Sequence, residues 1–211
     1  MEATDTEIGR VLSSIPPDVL ARTTIIYLSD NGTPGGAITA PWDDTRGKGT
    51  LYEGGVNVPM IVTGPLVAQP GRTSDALVHF VDFFPTFAEL AEVPLDDPRA
   101  GFALELDGVS FLPTLLDPDA GSAREIVYSE KFYPNGAPPY DYHHRMVTDG
   151  QWKLIRKDED GEVTEELYRL EGWQDGDDRM GELETDPEAA EAHDRLGASM
   201  AEHIETLAFE Y

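Results

Sequence analysis

The sequence contains no cysteine. That excludes disulfides, thiolate-bound metals and any cysteine nucleophile. Basic residues are scarce: 15 Lys and Arg stand against 41 Asp and Glu, for a formal charge of −26, and only four of the 15 are Lys. A surface of that sign repels phosphate backbones and anionic lipid, so neither nucleic acid nor a membrane is expected as a partner. No apolar run approaches the roughly 20 residues of a membrane-spanning helix. A Gly-x-Ser-x-Gly elbow is also absent, which removes the serine-hydrolase arrangement built on that turn. What remains is ordinary globular material: 40% hydrophobic and 9% aromatic residues over 211 positions. This suits one substantial domain, or one domain with a small appendage.

Hydrophobic periodicity divides the chain near residue 124. In the first stretch, Ile8, Val11, Leu12 and Ile15 recur at helical spacing over Thr4 to Ile15, and Pro16-Pro17 stops that helix. The β-branched run Thr24-Ile25-Ile26-Tyr27-Leu28 is expected to be a buried strand of a mainly parallel sheet, with a second short strand over 58–62. Asp82 is expected to cap a helix over 83–91, and a shorter helix is expected near 111–116. Beyond Arg124, strand-like runs at 126–128, 145–147, 152–155 and 166–168 alternate with turn dipeptides such as Asp149-Gly150 and Asp160-Gly161. These predict an antiparallel meander. Asp186-Pro187 opens a last helix with a stripe of Leu196, Met200, Ile204 and Leu207. The expected architecture is α/β for residues 1–123, followed by a small antiparallel α+β unit over 124–211.

Ser29-Asp30-Asn31-Gly32 ends the first predicted strand, where open α/β sheets place their ligand sites. An Asp carboxylate beside an Asn carbonyl offers two hard oxygen donors of the type Ca²⁺ or Mg²⁺ prefers, and Gly32 is expected to let the backbone break so that both reach one ion. Taken alone, Asp-Asn-Gly is an ordinary turn. It is followed, however, by Gly47-Lys48-Gly49-Thr50-Leu51-Tyr52-Glu53-Gly54-Gly55-Val56 and Val58-Pro59. Here the chain resembles the sulfatase family of the alkaline-phosphatase-like superfamily. The resemblance continues through Val81-Asp82-Phe83-Phe84-Pro85-Thr86, Leu106-Asp107-Gly108, Trp152-Lys153-Leu154-Ile155 and Glu166-Leu167-Tyr168-Arg169-Leu170, with Arg169 where the family has an acid.

That resemblance implies a partial alkaline-phosphatase-like sulfatase core with a C-terminal antiparallel subdomain. It also implies Asp30 and Asn31 as calcium ligands and Lys48 as the residue contacting the sulfate or the leaving oxygen. Glu53 is read as structural, fixing the tight backbone at Gly54 and Gly55. The family's nucleophile is a formylglycine made from Cys or Ser in a Cys/Ser-x-Pro-x-Arg motif. Here only Ser14-Ile15-Pro16 begins such a match, and Asp18 stands where Arg is required. The resemblance therefore implies a C-terminal portion, with the formylglycine and the other calcium ligands in an N-terminal half. Such a chain is expected to be inactive alone, to bind Ca²⁺ weakly and to self-associate, acting on a sulfate ester only when completed. Two other functions fit the same residues: a noncatalytic binding module, and a related phosphatase or phosphonate hydrolase. His143 and His144 are read as surface histidines that diverge from one strand. The loop from Tyr133 to Tyr140 suits either a substrate-facing or a plain solvent role. Trp42, Trp152 and Trp173 are read as packing residues.

Overall fold

The computed structural model describes residues 2–95, 106–172 and 174–206; Leu207 and Trp173 lie outside them. In chain order the first elements are α1 (Glu2–Ser14), α2 (Pro17–Leu20), β1 (Ile25–Leu28), α3 (Glu53–Val56), β2 (Met60–Thr63), α4 (Phe83–Leu90) and α5 (Leu112–Leu116). Five strands follow: β3 (Val127–Tyr133), β4 (Tyr142–Thr148), β5 (Trp152–Glu159), β6 (Glu162–Glu171) and β7 (Gln174–Asp178). The last helix is α6 (Pro187–Thr206). Among the described residues no helix is long and apolar enough to cross a membrane.

These elements form two compact units. The first comprises 1–29, 59–74 and 81–123, and the second 30–58, 75–80 and 124–211. In the first, β1 and β2 pair with each other antiparallel, with Tyr27 opposite Ile61 and Leu28 opposite Met60. The expected parallel pairing and full burial are corrected on both counts, since β1 contributes no fully buried residue. A four-residue apolar run fits a strand in either kind of sheet, so its pattern carries no direction. Asp82 also departs from expectation. It makes no side-chain cap bond to α4; instead its Oδ1 accepts from the Val109 amide at 2.8 Å. Thr86 extends the same link by accepting from the Phe111 amide at 3.0 Å. Gly108 is required here because a Cβ would lie 2.2 Å from the Val81 carbonyl oxygen.

The second unit is an antiparallel sheet in the order β3-β4-β5-β6-β7. Side chains alternate between its faces. Val147, Leu154 and Leu167 lie in one register row, joined by Trp152. They pack against Ala189, Ala192, Leu196 and Met200 of α6. The helix stripe therefore begins two turns before the expected Leu196. Asp186 Oδ1 accepts from the Glu188 amide at 3.0 Å and caps α6, an interaction worth about 1 kcal/mol. Both predicted turns are present. Asp160 and Gly161 have φ of 53° and 82°, the left-handed pair that a two-residue hairpin uses.

Asp149 braces the β4–β5 turn. Its carboxylate accepts from the Gln151 and Trp152 amides and from Arg195 of α6. Burial alone would raise its pKa, but those donors hold it below the usual aspartate value. A depressed folded pKa gives stability that is present above the unfolded value of about 3.9 and lost as pH falls through the folded one. Asp149→Asn should therefore lower the urea midpoint at pH 7, and the gap from wild type should close toward pH 3.

The first unit leaves large apolar side chains in water, among them Tyr27, Ile61, Phe84 and Phe87, with Ile61 59% exposed. Exposed apolar patches of this kind drive association. Light scattering of the 211-residue chain should show mass rising with concentration, and Ile61→Lys with Phe84→Lys should reduce it. A strictly monomeric wild type that binds no apolar dye would contradict this expectation.

Candidate functional site

The second face of the five-stranded sheet is covered by the loop that leads into the short helix α3. Leu51, Tyr52 and Val56 pack on Met146, Ile155 and Tyr168. The same face carries Lys153, whose side chain is fully buried. Its ammonium pairs with Glu53 Oε1 at the start of α3 and lies 3.2 Å from Asp175 Oδ1 on β7. It also donates to the Leu51 carbonyl at 3.3 Å. The Asp175 contact is charge pairing without hydrogen-bond alignment, since Oδ1 has no hydrogen-bond partner. The other carboxylate oxygens are engaged: Asp175 Oδ2 accepts from the Glu53 amide at 2.8 Å, and Glu53 Oε2 from Asn57 Nδ2 at 2.6 Å. Glu53 is thus structural, as its flanking glycines suggested. Lys153 and Asp175 were missed because lysine is ordinarily exposed and Gln-Asp-Gly-Asp-Asp has little strand propensity.

From this anchor the loop folds back on itself. The Gly32 amide donates to Gly55 O at 3.2 Å, and the Lys48 amide to Thr33 O at 2.8 Å. Gly32 is needed for close approach: a Cβ there would meet Gly54 O at 2.0 Å. The structure brings the Lys48 backbone beside the segment that carries Asp30 and Asn31. Asp30 and Lys48 are exposed, and neither side chain has a hydrogen bond or ion pair among the described residues. Asn31 Nδ2 donates to the Gly32 carbonyl at 3.0 Å.

Asp30 and Asn31 offer oxygens of the right hardness for calcium, but two side chains fall short of the six to eight oxygens that Ca²⁺ takes. Among the described residues no group of three or more His, Cys, Asp or Glu is arranged to hold a metal. Asp30 and Asn31 alone would therefore be a partial donor set. His143 and His144 diverge to opposite faces, the first to Glu130 at 2.8 Å and the second to Glu159 at 2.7 Å. Trp152 is buried, whereas Trp42 is 47% exposed and packs little.

A second polar cluster borders the loop. Lys157 Nζ donates to the Tyr52 hydroxyl at 2.9 Å and to Glu166 Oε1, while Tyr52 and Tyr168 donate to Glu166 Oε2 at 2.8 and 3.0 Å. The Arg46 guanidinium lies 4.6 Å from the Tyr52 ring centroid and 5.1 Å from that of Tyr168. Burial works against both charges of the central pair. Their mutual hydrogen bond and the Tyr52 hydroxyl nevertheless raise the Lys157 pKa and lower that of Glu166. Burial, reinforced by Glu166, raises Tyr52. These phenols remain protonated and serve as donors.

A sequence model of the sulfatase family matches residues 1–93. An ulvan-active sulfatase of Formosa agariphila is 30% identical over 166 residues, covering 79% of this chain and 29% of that protein. Arylsulfatase K of Gallus gallus is 28% identical over 207 residues, covering 95% of this chain and 35% of its own length. The chain thus spans about a third of the curated relatives it matches. The structure of a 2-O GAG sulfatase superimposes with a TM-score of 0.66 at 22% identity, over 96% of this chain and 41% of that one. A phosphonate monoester hydrolase from Silicibacter pomeroyi gives 0.66 at 21%, over 94% and 38%. At these identities the likeness shows the fold.

Removing Lys153 would leave the Glu53 and Asp175 carboxylates buried without a counter-charge, which costs about 3–5 kcal/mol. Lys153→Met should lower stability by that amount in urea denaturation. Adding Glu53→Gln and Asp175→Asn should restore most of it. A single variant as stable as wild type would show that the cluster does not anchor the loop.

Proposed function

Because the chain belongs to the sulfatase family, we propose that it supplies Asp30, Asn31 and Lys48 to a sulfuric-ester hydrolase site that these 211 residues do not complete. The observation that supports this most is the backbone link from Lys48 to Thr33, which ties the Lys48 backbone to the segment carrying Asp30 and Asn31, while the exposed Lys48 and Asp30 side chains have no hydrogen bond or ion pair among the described residues. In this reading Asp30 and Asn31 provide two oxygens to a calcium ion, which when bound offers positive charge to the sulfate oxygens. The exposed Lys48 ammonium stabilises negative charge as it develops on the departing oxygen, and it acts more strongly in the transition state than on the bound ester. Lys153 is not part of this chemistry: fully buried and paired, it holds the loop that presents Lys48.

The nucleophile has to come from elsewhere. No Cys/Ser-x-Pro-x-Arg segment occurs in the sequence. The sulfate ester is therefore a substrate of the completed enzyme, and the chain alone is inactive.

The test is sulfate release from an aryl sulfate, by the chain alone and by the chain co-expressed with a family N-terminal half carrying the modified nucleophile. Turnover is expected only from the pair. There, Lys48→Ala should lower kcat by on the order of 100-fold, as removal of a positioned charge-stabilising donor does. Stability should change by no more than about 0.5 kcal/mol, as for most exposed positions. Turnover by the unaccompanied chain that disappears in Asp30→Ala would refute the proposal.

A further inference from the structure

All four lysines of this acidic chain lie in the second unit. Lys48 is on the covering loop, and the other three alternate onto the sheet face beneath it. Across that face Lys131 of β3 stands opposite His144 of β4, and His144 opposite Lys157 of β5. Directly opposite residues have Cβ atoms about 4.5–5.5 Å apart, so three basic groups form one row. Thr50 and Tyr52 of the loop border the same row. Together with Leu51 and Ile155 they line an open-sided pocket of about 140 Å³. A water takes about 30 Å³ in the liquid, so the space suits a compact ion with a few waters, or an ion with part of the group bearing it.

The carboxylates nearest the row are already engaged. Glu166 pairs with Lys157, and Glu159 accepts from His144 Nε2 at 2.7 Å. Lys131 has no ion pair among the described residues, and its ammonium sits 5.3 Å from the Tyr142 ring centroid. Lys157 uses two of its three N–H groups, on Tyr52 and Glu166. His144 Nδ1 has no hydrogen-bond partner among the described residues. Lys131 and Lys157 thus line one small space with N–H groups to spare, and the His144 ring adds a donor there in its protonated form, in a protein whose surface otherwise repels anions.

We propose that this pocket binds a sulfate oxyanion, free or carried on a sugar, through Lys131 with help from Lys157 and His144. The oxyanion site follows from the row itself; the choice of sulfate among oxyanions rests on the family reading. Lys48 does not line the pocket.

Calorimetric titration of the full chain with sodium sulfate, glucose 6-sulfate and glucose, at fixed ionic strength, tests this. Both sulfates should bind saturably and glucose should not. Equal affinity for the two sulfates identifies a free-ion site; tighter glucose 6-sulfate identifies a site for a sulfate appended to a sugar. Lys131→Gln should raise Kd by about tenfold or more, the effect of losing a charge-assisted hydrogen bond. Lys48→Ala should leave Kd unchanged. Lys131 is exposed, so its variant should unfold at the same temperature, and His144→Gln provides an independent check. The idea is overturned if sulfate does not saturate, if glucose binds as well as its sulfate, or if affinity follows Lys48 rather than Lys131. Hydrolysis by the completed enzyme is a separate readout. Sulfate binding without any hydrolysis would refute only the functional proposal.

Discussion

The second unit depends on one buried ammonium. Lys153 stands on a central strand with no solvent access and two carboxylates against it. Removing such charges from water costs several kcal/mol per ion, recovered only when pairing and hydrogen bonding are good. Apolar side chains alone could cover the sheet, but they would accept many registers. Glu53, Asp175 and the Leu51 carbonyl can meet Nζ together in few arrangements. The cost of burial therefore acts as a selection for a single docking of the loop, with Leu51, Tyr52 and Val56 packing around the pair once it forms.

That docking sets the backbone geometry upstream. With α3 fixed at its first residue, Gly54 and Gly55 are brought against Gly32, where nothing larger than hydrogen fits. The exposed Asp30 and Lys48 are thereby carried on a segment tied to itself through the Gly32 and Lys48 amides. Charge is thus divided here, buried on Lys153, Glu53 and Asp175 and exposed on Asp30 and Lys48.

Much of this was legible in the residues, for physical reasons. Strands β4 to β6 declare themselves because one face of each is apolar and their turns use Asp-Gly. The helix cap at Asp186 is equally direct. Glu53 could be read as structural from its two glycines. The direction of β1 and β2 could not be read, because a short apolar run has no polarity of pairing. Asp82 resembled a cap, yet its carboxylate bonds to Val109, a partner 27 residues away that no local pattern reveals. The burial of Lys153 was hidden for the same reason: its partners come from residues 53 and 175, about 100 positions upstream and 22 downstream. The reading of Asp30, Asn31 and Lys48 rests on the family-like string, since an exposed Asp or Lys and a half-buried Asn are otherwise ordinary.

The covering loop also bears on how such a chain can be inherited. Residues 30–58 interrupt the segments of the first unit, yet they complete the sheet formed after residue 124. A recombination that exchanged only the C-terminal stretch would place a foreign surface beneath Glu53 and leave that buried carboxylate without its lysine. Loop and sheet must therefore diverge together, each change at positions 51–57 matched on β5 to β7. The small sheet cannot behave as a portable module: it carries one half of a charge pair whose other half is encoded about a hundred residues earlier.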